Sequence, residues 1–379
     1  RWDKLAAVII DEPIRGRFAY LDHPGLISLP GLEQFRPFMK RQVPLAPLFH
    51  LTGLEFVEVG VGTATAAMPA SPWWQSGAGV FTAGVMAFVA DAALGGAVHT
   101  TLPPKRFVAT SQLSMDFLRP AYVDSGRLIA RSRLIQVSRT QGLSEATIED
   151  AHGRLLAHST SRCVLVSLPF DPPDPPASFP PLEPLEGVDP YLRPAEGRLV
   201  DRGTWKTKSG LEIMRAWVKG ELPDPPIACL TGCRLVAVGE GQVTNAMPAS
   251  EWFCTGARGF YGGVVALQAD LAMTGALTTT LETGTALATL DLKVNYLRPV
   301  NPDGRELRTS ANVVHRGQRV AVMSAEVVDD DGKRVAIASS SAMLLPGRSW
   351  SPEEKLSPME ERLSPMEESA ALVGPGDEG

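Results

Sequence analysis

Thr82-Ala83-Gly84-Val85-Met86-Ala87-Phe88-Val89-Ala90-Asp91 is answered, 179 residues later, by Tyr261-Gly262-Gly263-Val264-Val265-Ala266-Leu267-Gln268-Ala269-Asp270. Each run is apolar or small almost throughout and then carries one carboxylate. The apolar character extends from Gly79 to Val98 and from Gly259 to Leu277, long enough to imitate a membrane span. The central Asp, the added Gln268 and the Gly and Ala content read instead as a helix buried on all sides within a soluble domain, so no membrane partner is expected.

Outward from that helix the same offset holds. Gly31-Leu32-Glu33 returns as Gly210-Leu211-Glu212, Leu51-Thr52-Gly53 as Leu230-Thr231-Gly232, and Met68-Pro69-Ala70-Ser71 as Met247-Pro248-Ala249-Ser250. Leu118-Arg119-Pro120 returns as Leu297-Arg298-Pro299, without a gap to Gly153 and Gly332. A period this long is a whole small domain copied, not a solenoid unit. The expected division is an N-terminal extension (1–30), a first domain (31–166), a Pro-rich extended linker (167–209), a second domain (210–345) and a disordered acidic tail (346–379).

Within each repeat a short amphipathic helix (32–40; 211–219) precedes a strand near 54–68 and a Trp-bearing loop. The long helix follows (83–100; 262–280), then three strands, in the first copy about 107–118, 127–138 and 142–165, the last broken near Asp150 to Gly153. One apolar helix followed by consecutive strands predicts an α+β fold in which an antiparallel sheet curls around the helix.

The bulk numbers bound the function. A net charge of −6 with no basic stripe gives no reason to expect nucleic acid. The cysteines at 163, 229, 233 and 254 form no Cys-x-x-Cys, so neither a zinc site nor a disulfide framework is expected. A reducing cytoplasm is the expected compartment, and residues 1 to 20 show no apolar run of a signal peptide. There is no Gly-x-Ser-x-Gly elbow, Walker loop or Gly-x-Gly-x-x-Gly, and the six histidines share no equivalent position between copies.

Tyr261-Gly262-Gly263, Asp270 and Thr289-Leu290-Asp291-Leu292-Lys293-Val294-Asn295-Tyr296-Leu297-Arg298-Pro299 resemble the hotdog-fold thioesterases of the phenylacetate-pathway (PaaI-like) type. In that family a His-Gly-Gly opens the central helix, an acidic residue follows nine positions after the His, and a Thr- or Ser-initiated strand ends in Leu-Arg-Pro. The first repeat carries the same frame in Thr82-Ala83-Gly84, Asp91, Thr110 and Leu118-Arg119-Pro120. The resemblance implies two tandem hotdog domains joined as an internal pseudo-dimer, an acyl-CoA or other acyl thioester as substrate, and no metal or cofactor. A homodimer of such double-hotdog chains is a further expectation.

Buried carboxylates are costly unless bonded or neutralised, so Asp91 and Asp270 need a reason. One reading is a base or nucleophile at a thioester carbonyl; the other is a structural Asp tied to backbone donors. The resemblance favours the first. It also implies that the amides of Gly262 and Ala83 hold the oxyanion, and that Thr110 and Thr289 orient water. Carried over, Asp91 and Thr110 face Gly262, while Asp270 and Thr289 face Ala83. Gly84, Gly263, Tyr261, Thr82, Trp73 and Trp252 are expected to line the substrate, with lid or interface packing as the alternative for the Trp residues. The chain departs from the family where the His is Thr82 or Tyr261 and an upstream Asn is Ser76 or Thr255. Those losses keep open a second class of function, a non-catalytic module that binds acyl-CoA.

Overall fold

The computed structural model describes residues 8–168 and 170–347. The tail expected to be disordered lies almost wholly outside the described residues.

The first copy contains α1 (Ala19–Asp22), α2 (Gly31–Met39), α3 (Pro47–Thr52), β1 (Glu55–Gly60), β2 (Thr63–Pro69), α4 (Gly84–His99), β3 (Arg106–Phe117), β4 (Arg127–Val137), β5 (Gln141–Glu149) and β6 (Leu155–Ser167). The second contains α5 (Arg202–Thr207), α6 (Gly210–Val218), α7 (Pro226–Thr231), β7 (Arg234–Gly239), β8 (Gln242–Pro248), α8 (Gly262–Thr278), β9 (Thr285–Thr289), β10 (Asp291–Tyr296), β11 (Glu306–Arg316), β12 (Val320–Val328) and β13 (Arg334–Pro346).

The single strand expected near 54–68 is a hairpin in both copies. Gly62 and Gly241 turn it at φ of +73° and +69°, a region that L side chains rarely adopt. The linker is not extended throughout, since it holds a 3₁₀ turn at Pro190–Leu192 and the helix α5, capped by Asp201.

All strands pair antiparallel into one sheet ordered β1-β2-β4-β5-β6-β3-β10-β13-β12-β11-β8-β7, with β9 beside β13. The halves join through β3 and β10, where Ser114 pairs with Lys293. Those two residues are equivalent under the repeat, so the pseudo-twofold axis passes between them. α4 and α8 pack against each other across that axis inside the curl of the sheet. Their apolar residues face a sheet or the other helix on every side, which explains the absence of a polar stripe.

The repeat also extends upstream of Gly31. Glu12-Pro13-Ile14-Arg15-Gly16-Arg17 corresponds to Arg193-Pro194-Ala195-Glu196-Gly197-Arg198, at an offset of 181. Each strap anchors in its own half, Arg17 N–H on the Leu45 carbonyl and Arg198 N–H on that of Asp224, both at 2.9 Å. Each then crosses to the other half. The Trp252 indole donates to the Glu12 carbonyl and the Trp73 indole to the Arg193 carbonyl, both at 3.2 Å. Arg193 closes the pair on the Glu12 carboxylate at 2.7 and 2.9 Å.

Candidate active site

The curl of the sheet brings each carboxylate to the start of the opposite central helix. Asp91 lies on α4 and is 4% exposed; Asp270 lies on α8 and is fully buried. Burial dominates both and raises each pKa from 3.8 to about 6.

Their partners differ. Asp91 Oδ1 accepts the Thr110 hydroxyl at 2.9 Å, and the Gly263 amide lies close enough to hold its pKa down without a formed hydrogen bond. A β-bulge between Thr110 and Gln112, with Ser111 as the extra residue, shapes the strand at that point. Asp91 Oδ2 reaches to 2.9 Å from where a Cβ on Gly262 would stand, so the approach needs glycine. Tyr261 N–H donates to the Phe253 carbonyl, and the Gly262 amide, first in α8, has no acceptor among the described residues. It is an unsatisfied donor at a helix start, beside a carboxylate.

Asp270 Oδ2 accepts the Gly84 amide at 2.8 Å. The donor is Gly84, equivalent to Gly263 and one position after Ala83, whose own amide has no acceptor among the described residues. Asp270 Oδ1 and Thr82 Oγ1 are both buried without a hydrogen-bond partner. The Thr82 hydroxyl lies close enough to pull the Asp270 pKa down, but the contact falls short of a formed hydrogen bond. Thr289, expected to serve Asp270 as Thr110 serves Asp91, stays in the β9 ladder opposite Ala342 and does not bond to it. The second copy breaks its strand just after Thr289, where the Asp291 carboxylate takes the Ser341 N–H and hydroxyl.

Tyr296 and Cys163 belong to the Asp91 surroundings and were not expected from the repeat. Tyr296 donates to the Gly262 carbonyl at 3.0 Å. Burial, and then the Asp91 charge, push the Cys163 thiol up to about 12. The sequence signal for both is a difference between copies, since Phe117 and Ala342 stand at their equivalents. Trp73 and Trp252 are fully buried and spend their indole N–H groups on the straps. This is the packing alternative for these two residues rather than an open acyl wall. No helix among the described residues is long and apolar enough to cross a membrane.

This fold, with a carboxylate under each central helix start, is a tandem hotdog. The family model of the thioesterase superfamily matches residues 78–157 and 260–336, one segment in each copy. One segment of each repeat thus matches that superfamily, within a double-hotdog chain.

Among solved structures the chain is similar to the tesB protein of Mycobacterium avium subsp. paratuberculosis, at 14% identity over 79% of this chain and 98% of that one, with a TM-score of 0.49. It is similar to acyl-CoA thioesterase II TesB2 of Mycobacterium marinum at 15% identity, over 79% and 97%, with a TM-score of 0.46. A phenylacetic acid degradation-related protein of Ralstonia eutropha is 30% identical over 34% of this chain and 98% of its own, with a TM-score of 0.32. No curated protein matches the sequence.

Proposed function

We propose that the chain hydrolyses acyl-CoA thioesters at the site built from Asp91, Thr110 and the start of α8. The observation that carries this reading is the Asp91 carboxylate, held by Thr110 and packed against Gly262, whose amide is unspent. Coenzyme A as the carrier follows from the family frame that both repeats share.

In this reading the Asp91 carboxylate takes a proton from water as the water oxygen attacks the thioester carbonyl. The Thr110 hydroxyl fixes the carboxylate and the water, and the Gly262 N–H receives the oxyanion. Collapse breaks the C–S bond, and the proton on Asp91 passes to the departing thiolate. The products are a carboxylic acid and free CoA thiol. Direct attack by Asp91 through an anhydride is the competing route. Single turnover in ¹⁸O-labelled water tests the second: label found in Asp91 supports the anhydride, since direct water attack leaves Asp91 unlabelled.

Asp270 suits a second role, as a structural carboxyl rather than a second base. The supporting observation is its unpartnered Oδ1, with Thr289 held elsewhere. The compartment proposed is the cytoplasm, where the four free thiols stay reduced.

The test is thiol release from a panel of acyl-CoAs by the full chain and by Asp91→Asn. Loss of turnover in the variant supports the site. Unchanged turnover sinks it, and binding without turnover on any thioester returns the chain to the non-catalytic class.

A further inference from the structure

Tyr261 stands where Thr82 stands in the first repeat, and its side chain leaves its own half of the molecule. The ring folds back over the first turn of α8, 2.6 Å from where a Cβ on Gly263 would sit. It meets Phe88 of α4 edge-on, with centroids 5.0 Å apart and planes at 83°. Trp74 also packs on Phe88, at 5.3 Å. The phenol donates to the Phe88 carbonyl and lies close enough to the Ala92 amide to feel its dipole. Phe88 and Ala92 bracket Asp91 on α4.

We propose that Tyr261 is a positioning residue for Asp91: its hydroxyl pins the α4 turn that carries the carboxylate against the α8 start that carries Gly262 and Gly263. This rests on the hydrolysis assigned above to the Asp91 site. The argument is geometric. Asp91 must meet Thr110 from its own half and the α8 start at Gly262 from the other half, so the offset between the two helices decides whether both contacts form together. Tyr261 ties the helices at that level, through a side chain with few rotatable bonds. Thr82 is too short for the same task, and its hydroxyl has no partner. The groups around Asp91 are Thr110 on β3, Cys163 on β6, Tyr296 on β10 and Tyr261, Gly262 and Gly263 at the start of α8. Tyr261 makes no hydrogen bond to the carboxylate itself, so its effect is exerted through the backbone of α4.

Tyr261→Phe keeps the ring and its contact with Phe88 and removes only the hydroxyl. The expected result on an acyl-CoA is a fall in kcat of about tenfold with KM changed little, since misplacement of a catalytic group lowers the rate more than binding. The acidic limb of kcat is expected to move to higher pH as Asp91 loses its seat between Thr110 and the α8 start. A ¹³C NMR titration of the Asp91 carboxyl without substrate, in the full chain and in Tyr261→Phe, is expected to show the same upward move. A lower melting temperature with unchanged kcat, limb and carboxyl titration overturns the positioning role. Asp91→Asn run in parallel keeps the two claims apart. Activity retained there sinks the site, whereas activity lost there but wild-type in Tyr261→Phe sinks only this inference.

Discussion

Asp91 and Asp270 occupy one position in two copies of one domain, and burial lifts both to a pKa of about 6. Both meet a glycine at the opposite helix start, Asp91 at Gly262 and Asp270 at Gly84; Asp91 adds the Thr110 hydroxyl, whereas Asp270 takes the Gly84 amide and leaves an oxygen unpaired. Duplication thus preserved the costly part of a site, the buried acid, in both halves. The hydroxyl partner that makes the acid useful stayed with one. A buried carboxylate alone does not distinguish function from architecture, but its partners do.

The sharpest way to break that comparison is to neutralise each acid in turn. Asp91→Asn is expected to lower kcat by roughly a thousandfold, within the range for loss of a general base. Asp270→Asn is expected to leave kcat within a factor of about three, since a remote change touches the chemistry only through packing. Wild-type kcat/KM should fall about tenfold per pH unit below about pH 6, because the reactive form is the carboxylate that protonation removes. Asp270→Asn should keep that acidic limb. Equal losses in the two variants would mean two working sites and would end the asymmetric reading.

The same substitution at Asp270 makes a prediction for stability. Folding raises its pKa from 3.8 to about 6, so the folded state favours the protonated form. The stability associated with that preference is fully present below the unfolded value and lost as pH rises through about 6. At pH 8 the ionised group therefore opposes folding by roughly 3 kcal/mol, a cost that Asn lacks. Calorimetry should show Asp270→Asn melting higher than wild type at pH 8, and the gain should vanish at pH 4. A loss at pH 8 would show that the Asp270 charge is compensated.

Much of this architecture was legible in the sequence, and its limits were physical. The central helices could be read because an apolar run with one Asp has few places to go. The hairpins of β1–β2 and β7–β8 are not legible in the hydrophobic pattern, because each turns on a single glycine, Gly62 or Gly241, at φ above +60°. The straps escaped because their offset is 181, not 179, which breaks the frame. At the site, Asp91, Thr110 and Gly262 came from the repeat and the resemblance. Failure of Thr289 to reach Asp270 was not legible, since it turns on a strand break and an Asp291–Ser341 pairing set by tertiary register. Which of two adjacent amides meets the carboxylate is likewise a matter of helix offset.

Gly262→Ala gives a smaller effect than either acid. The new methyl would meet Asp91 Oδ2 at 2.9 Å and the Tyr296 ring at 3.5 Å, so the carboxylate must move. A fall in kcat of roughly thirtyfold is expected from misplacement, measured on the best acyl-CoA of the panel. Ala83, at the equivalent place in the first copy, already carries that methyl, so Ala83→Gly should change little. Thr110→Val against Thr289→Val is a milder probe. The first should cost about tenfold in kcat, as loss of one orienting hydrogen bond, and the second almost nothing.

The smallest effect expected lies at the pseudo-twofold axis, where Glu12 and Arg193 join the two straps. Their side chains are 37% and 36% exposed, so water competes for the pair and salt screens it. A double-mutant cycle with Glu12→Gln and Arg193→Gln should give a coupling of about 0.5 kcal/mol at low salt, fading toward zero at 1 M. The straps are held elsewhere, by Ile10 packed over Gly232 and Tyr191 over Gly53, and by the two indole bonds. Tyr191→Ala and Ile10→Ala should therefore lower the melting temperature more than the ion-pair variants do. A coupling of about 2 kcal/mol that persists in 1 M salt would reverse that order and make the ion pair, rather than the apolar contacts, the clasp between the halves.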